Sequence, residues 1–265
     1  MTATQKVIRI AAIAIAIALA VGIISGIVSL VGLIFGIATP ATNEDVTVYE
    51  VSSNVKSLDV EVGAADFVIE ESDHFGVESN LKYLTVKEKS GTLYVTEKTH
   101  TGARYDGPML KIFVPEGFVF ERLEISSGAG VLTASVLSAK RVSFEHGAGK
   151  VDIGELNAGK SVEIEGGAGE ININGGVLHN LDMQIGAGKT SVTATLVGSC
   201  DIEHGVGKTN ITLLGGKELY RLTLERGIGD IRVDGKSVSS SQSIGSGENH
   251  IDVEGGVGEI NIFFE

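Results

Sequence analysis

The sequence predicts an all-β solenoid with coils of about 20 residues, preceded by one N-terminal transmembrane helix. Three observations carry this expectation. Gly-x-Gly recurs at a near-constant interval from Gly128 to the C-terminus, apolar residues alternate on both sides of each recurrence, and no residue from Ile10 to Asn43 is ionisable.

The first element is the apolar run. Ile10 to Ala38 is almost wholly Ile, Ala, Val, Leu and Gly, and about 20 such residues cross a bilayer. Lys6 and Arg9 precede the run, whereas Glu44 and Asp45 follow it, so the short N-terminus is expected to stay cytoplasmic. A cleaved signal peptide is the rival reading, but its apolar core is usually only about 7–15 residues long. The expected organisation is a cytoplasmic tail (1–9), a signal-anchor helix (10–38), a linker (39–45) and an extracytoplasmic solenoid (46–265). Gly22-x-x-x-Gly26 and Gly32-x-x-x-Gly36 could bring two such helices together, although glycine is common in membrane helices.

The repeat comes next. Its first glycines are Gly128, Gly147, Gly167, Gly186, Gly205, Gly227 and Gly256, spaced by 19, 20, 19, 19, 22 and 29 residues. Intervals near 20 residues belong to solenoid coils. Five and three residues before each glycine stand apolar pairs such as Val142 and Phe144 or Val162 and Ile164. Four and six residues after it stand pairs such as Val151 and Ile153 or Ile171 and Ile173. Each coil therefore reads as two period-two strands joined at a glycine corner. One coil cannot bury its apolar face alone, and stacking turns each column into a continuous core. The residue between the glycines is Ala129, Ala148, Ala168, Ala187, Val206, Ile228 or Val257, which suggests a tight inside bend. Cys200 falls in the column of Val142 and Val162 and reads as a small buried hydrophobe. Ser237 to Gly247 reads as a polar loop inserted in the longest interval, with Gly245 and Gly247 as a loop pair.

The segment before Gly128 is less regular. Leu58 to Ile69 resembles a degenerate first coil, Tyr83–Val86 and Leu93–Val95 suggest a hairpin around Ser90-Gly91, and Pro115 is placed to end a strand. Residues 98–108 read as a loop.

Composition narrows the function classes. The chain has 265 residues, 36 Gly, 3 Pro, no Trp and a net charge of −13, an acidity that opposes binding to nucleic acid or anionic lipid. With a single cysteine, stability must come from packing without an internal disulfide. Gly186-Ala-Gly188-Lys189-Thr190 and Gly205-Val-Gly207-Lys208-Thr209 imitate the end of a P-loop. However, Met183 and Ile202 occupy the place of its first glycine, and strand residues follow where a helix is needed, so no nucleotide is expected. His146 and His204 occupy equivalent places three coils apart, ~14 Å by strand spacing, too far to share a metal. Neither a cofactor nor a catalytic constellation is read.

The sequence Leu110 to Gly117 (LKIFVPEG), then Leu123 to Gly130 (LEISSGAG), then GAGK-x-x-I at Gly147 to Ile153 and further Gly-x-Gly coils, resembles a bacterial β-strand-repeat family. That family is a domain of unknown function labelled "putative adhesin", and the resemblance covers Val46 to Glu265. It implies a right-handed β-helix-like solenoid that is secreted or membrane-anchored, and it supplies no catalytic residues.

One surface pattern stands out. Two residues before the corners stand Glu145, Glu165, Glu203, Glu225 and Glu254, and four before stand Glu163, Asp182, Asp201 and Asp252. Together they form an acidic face that attracts cations or a cationic partner, or that keeps sheets from aggregating. Lys150, Lys189 and Lys208 are expected to balance it partly across the corner. The function expected is a non-enzymatic, adhesin-like envelope module presenting this face to an envelope protein or wall polymer. The alternatives are a carbohydrate-processing β-helix and a purely structural envelope scaffold.

Overall fold

The computed structural model describes residues 39–40, 42–98, 103–238 and 241–265. The signal-anchor helix expected at 10–38 lies outside the described residues. Among those that are described, no helix is long and apolar enough to cross a membrane.

The chain begins with β1 (Thr39–Pro40), β2 (Thr42–Glu50), β3 (Ser57–Ser72), β4 (Gly76–Leu81), β5 (Leu84–Lys89), β6 (Thr92–Glu97), β7 (Ala103–Arg104) and β8 (Met109–Pro115). Three turns of solenoid follow as one continuous element, β9 (Phe120–Ile173). Then come β10 (Val177–His179), β11 (Leu181–Val197), β12 (Ser199–Leu213), a 3-10 turn at Lys217–Leu219, β13 (Tyr220–Val233), β14 (Lys236–Ser237), β15 (Gln242–Gly245) and β16 (Asn249–Phe264).

The expected coils are present. β3 pairs in parallel with the start of β9, Leu58 beside Leu123 and Phe67 beside Leu132, so Leu58 to Ile69 is indeed the first coil. β9, β11 and β12 then stack in parallel register, for example Ile164 beside Met183 and Met183 beside Ile202. The inward columns are buried throughout. Cys200 is a free thiol within one of them, 2 % exposed, and burial raises its pKa.

Both glycines of each corner are required, for different reasons. A Cβ on Gly147 would stand 2.4 Å from the carbonyl oxygen of Gly128, which belongs to the neighbouring coil. The second glycine adds a conformational demand, since Gly188 has φ +142° and its Cβ would lie 2.0 Å from the oxygen of Gly169. No L-residue fits both conditions.

Four expectations need correction. The first is stacking order. β12 pairs with β16, not β13, and β13 pairs with the far side of β16. The C-terminal coil, cornered at Gly256, is thus inserted between the Gly205 and Gly227 coils. The second follows from it, because Ser237 to Gly247 is not a loop inserted in a coil. Its β14 and β15 run antiparallel along the outer edge of β13, bringing the chain back to the start of the coil and covering an edge that would otherwise template pairing. The third concerns the residue between the corner glycines, which lies outside the bend. Ala129, Ala148, Ala168 and Ala187 are half-buried, whereas Val206, Val257 and Ile228 are exposed. The fourth is a third side of the coils, absent from the two-strand pattern. Leu137 and Ala139, Leu156 and Ala158, Leu178, and Leu196 are all buried there, and β10 pairs with β11 along it.

The opposite end is closed by reversing strands. β6 and β8 lie against the two halves of β3, and within the segment expected as a loop (98–108) the described residues include strand β7, paired in parallel with β1. Glu97 meets the backbone of the first coil: its Oε2 accepts the Gly63 N–H at 2.8 Å and its Oε1 accepts the Tyr105 hydroxyl at 2.9 Å. The β5–β6 hairpin turns through Ser90 (φ 52°) and Gly91 (φ 78°) as expected. Edge strand β2 pairs with β4, and β4 in turn with β8, both antiparallel.

Candidate functional site

The corner columns create a groove. Immediately before each corner glycine, the alternation turns one side chain inward. In spatial order the residues from the Gly147 coil to the Gly256 coil are His146, Gly166, Ile185, His204 and Gly255. Two of the five positions carry no side chain. A Cβ on Gly166 would already meet the methyl groups of Ile171 and Ile185 at 2.8 and 2.9 Å. The remaining space is a groove of about 320 Å³ running across these coils, lined by those residues, the corner glycines and the carboxylates one position earlier.

Those carboxylates are the ones expected from the sequence. Glu145, Glu165, Glu203 and Glu254 all line the groove, with the uncharged Gln184 in the same row, Glu165 beside Gln184, Gln184 beside Glu203 and Glu203 beside Glu254. Neighbouring strands are about 4.8 Å apart, so the row is a ladder. Glu225 continues it beside Glu254. The second row runs Glu163, Asp182, Asp201 and Asp252 in direct register. The inserted C-terminal coil therefore concentrates acid, because it places Asp252 and Glu254 directly beside Asp201 and Glu203.

Burial and crowding together set the electrostatics. Burial, and then repulsion from Asp252 and Asp182, raises the pKa of Asp201. Burial, and then the charges of Asp201 and Asp182, raises that of Glu203. The expected balancing lysines pair on their own side of the corner: Lys150 with Asp152 at 2.9 Å, Lys189 with Glu170 at 3.8 Å and Lys208 with Glu259 at 3.5 Å. They answer a separate set of acids and not the groove row.

Sequence reasoning misses the inner wall. His146 and His204 line the groove and are 6 % and 2 % exposed. Desolvation lowers both pKa values, so both rings are neutral at pH 7. Neither nitrogen of His146 has a hydrogen-bond partner, while His204 Nδ1 lies 2.9 Å from Thr209 Oγ1. Two histidines at one repeat position are a readable signal of a shared wall, even though they stand too far apart to share a metal. Among the described residues, no cluster of three His, Cys, Asp or Glu side chains could hold a metal ion.

Comparison with known proteins gives a consistent family and no curated relative. No curated protein matches the chain. Among solved structures, the chain is similar to a "putative cell adhesion protein" of Clostridium sporogenes, at 16% identity over 83% of this chain and 99% of that one, with a TM-score of 0.36. It is similar to a "putative adhesin" of Bacteroides fragilis, at 14% identity over 85% and 100%, with a TM-score of 0.39. A third is a "putative lipid binding protein" of Parabacteroides distasonis, at 18% identity over 85% and 99%, with a TM-score of 0.39. The family model described as Toastrack DUF4097 matches residues 55–257, which is most of the chain and all of the groove. This chain belongs to the Toastrack DUF4097 family.

Proposed function

We propose that this protein is a non-enzymatic binding module of the cell envelope, tethered through residues 10–38 as a single-pass anchor, that offers its acidic corner groove to a cationic envelope partner. The observation that carries this reading is the groove row itself. Carboxylates line it on either side of Gln184, burial and then neighbouring carboxylates raise the pKa of Asp201 and Glu203, and Lys150, Lys189 and Lys208 pair with other acids. An array that raises its own electrostatic energy in this way gains most when a cation reaches it. A rigid stacked scaffold supports such a surface because its spacing is fixed by backbone pairing.

The test is capture of envelope components by the full-length protein in detergent. Replacing Glu145, Glu165 and Glu203 together with Gln is expected to abolish retention of the cationic partner. Replacing Asp152 and Glu170, on the lysine side of the corner, is expected to leave it intact. Equal retention by all three proteins would reject the groove as the binding surface. Turnover of envelope polysaccharides by the wild type would reject the non-enzymatic reading.

A further inference from the structure

We infer that the slot between β12 and β13 is a strand-exchange site, and that its occupant in trans is the C-terminal coil, β16, of a second copy of this chain.

Chain order creates the site. β16 pairs with β12 from Ser199 to Leu213 on one side and with β13 from Tyr220 to Val233 on the other. Both walls of the slot are complete without the segment that leads into β16. The slot therefore does not distinguish a β16 arriving from its own chain from one arriving from another.

The slot does select what kind of strand enters. Gly256 and Gly258 lie against β12, where a Cβ on either would strike the carbonyl oxygen of Gly205 or Gly207. An entering strand must carry Gly-x-Gly at the corner. It must also set apolar side chains five and three residues before that corner and four and six after it, where Ile251, Val253, Ile260 and Ile262 are buried. Its polar groups answer both walls. Glu259 meets Lys208 at 3.5 Å and Arg232 at 2.9 Å, and His250 meets Thr223 at 2.8 Å. The Asn249 side chain accepts the Gly198 N–H, and Asn261 donates to Asn210, both at 3.0 Å. The β16 of a second copy brings all of these features together, and an ordinary extended peptide lacks the glycine corner.

The lead-in favours release. Residues 234–248 connect β13 to β16 and are held by the short pairings of β14 at Arg232 and Val233 and of β15 from Arg221 to Leu224. Asp234 (φ 47°) and Ser241 (φ 58°) put two L-residues in the left-handed region, which costs energy. Opening such a hinge releases its strain, while every pairing of β16 is recovered in the partner. Extended, residues 234–248 reach roughly 50 Å, enough to carry β16 to a neighbouring molecule.

The experiment uses the single native cysteine. Full-length wild type and a full-length Cys200→Val/Ile251→Cys variant, each with one thiol, are unfolded together in urea, refolded in detergent over a range of protein concentrations and oxidised. Cys200 and Ile251 are register partners, so a disulfide between the two proteins reports the variant's β16 seated in the wild-type slot. The heterodisulfide is expected on co-refolding, with a yield that rises in proportion to protein concentration while it is the minor species. It is expected to be absent when the two proteins are folded separately and then mixed. A Cys200→Val/Leu222→Cys variant should give none, because Leu222 lies two strands from Cys200. Absence of the heterodisulfide at every concentration, while the Ile251→Cys single chain closes its own disulfide, would overturn the inference. Equal linking by the Leu222→Cys variant would overturn it too, since random collision would then explain both. Failure of the single-chain disulfide as well would remove the slot itself.

Discussion

Glu203 and Glu254 are separated by 51 positions in the chain, yet they stand side by side on adjacent parallel strands, both lining one groove. Their adjacency exists only because the C-terminal coil is inserted one place before its turn in the sequence. That insertion also sets Asp252 beside Asp201, whose charge adds to burial in raising the pKa of Asp201.

The acidic rows should therefore cost stability at neutral pH. In the folded state Asp201 and Glu203 have raised pKa values, so the native form is penalised where both are ionised. The penalty is relieved as pH falls through those raised values, and it is gone when both states are protonated. The Asp201→Asn/Glu203→Gln variant is expected to melt at a higher temperature than the wild type at pH 7, with the difference shrinking towards pH 4. A constant difference across that range, followed by circular dichroism, would contradict the electrostatic cause.

The buried histidines give the opposite sign. Burial lowers the pKa of His146, so its contribution to stability is complete above the unfolded value of about 6.5 and falls as pH drops below it. Ile185 occupies the same column two coils on, so His146→Ile is sterically acceptable. The variant should gain about 1 kcal/mol at pH 7 by removing unpartnered polar atoms and should lose less stability between pH 6.5 and 5. Denaturant titrations at the two pH values measure both effects.

Corner glycines and ordinary glycines should separate sharply. Gly188→Ala places a Cβ 2.0 Å from a backbone oxygen at φ +142°, and the strain and clash should destabilise the domain by at least about 2 kcal/mol. Gly159 has nothing within 4 Å of its would-be Cβ, so Gly159→Ala should stay within about 0.5 kcal/mol of wild type. Thermal melts of the two variants side by side decide the matter.

Local pattern makes the coils legible. Val142, Phe144, Val151 and Ile153 announce two strands and an inward face because side-chain alternation is a property of the strand itself. The same alternation puts Glu145, Glu165 and Glu203 on one face, since each stands two residues before its corner glycine. Spatial order is not legible, because β12 could stack on either of two similar partners. Leu222 and Ile251 are equally good neighbours for Cys200 by pattern, and the choice between them depends on how the chain returns along β14 and β15. The groove is hidden for a related reason: its inner column mixes His146, Gly166, Ile185, His204 and Gly255, and a glycine next to a corner glycine reads as more corner. The third side, at Leu137, Leu156 and Leu196, escapes because it lies away from the corner glycines that mark the repeat.

The central claim is tested most directly by a cross-link that reports which coil neighbours Cys200. Cys200 and Ile251 are register partners on adjacent strands, within the Cα separation of about 4.4–6.8 Å that a disulfide spans. Leu222 is the partner of Ile251 on its other side, two strands from Cys200. Oxidation of the Ile251→Cys protein should therefore produce an intramolecular disulfide, while the Leu222→Cys protein should produce none. The reverse outcome, Leu222→Cys linking and Ile251→Cys remaining free, would mean that the coils stack in sequence order, with Thr223 between Asp201 and Asp252 and Arg226 between His204 and Gly255.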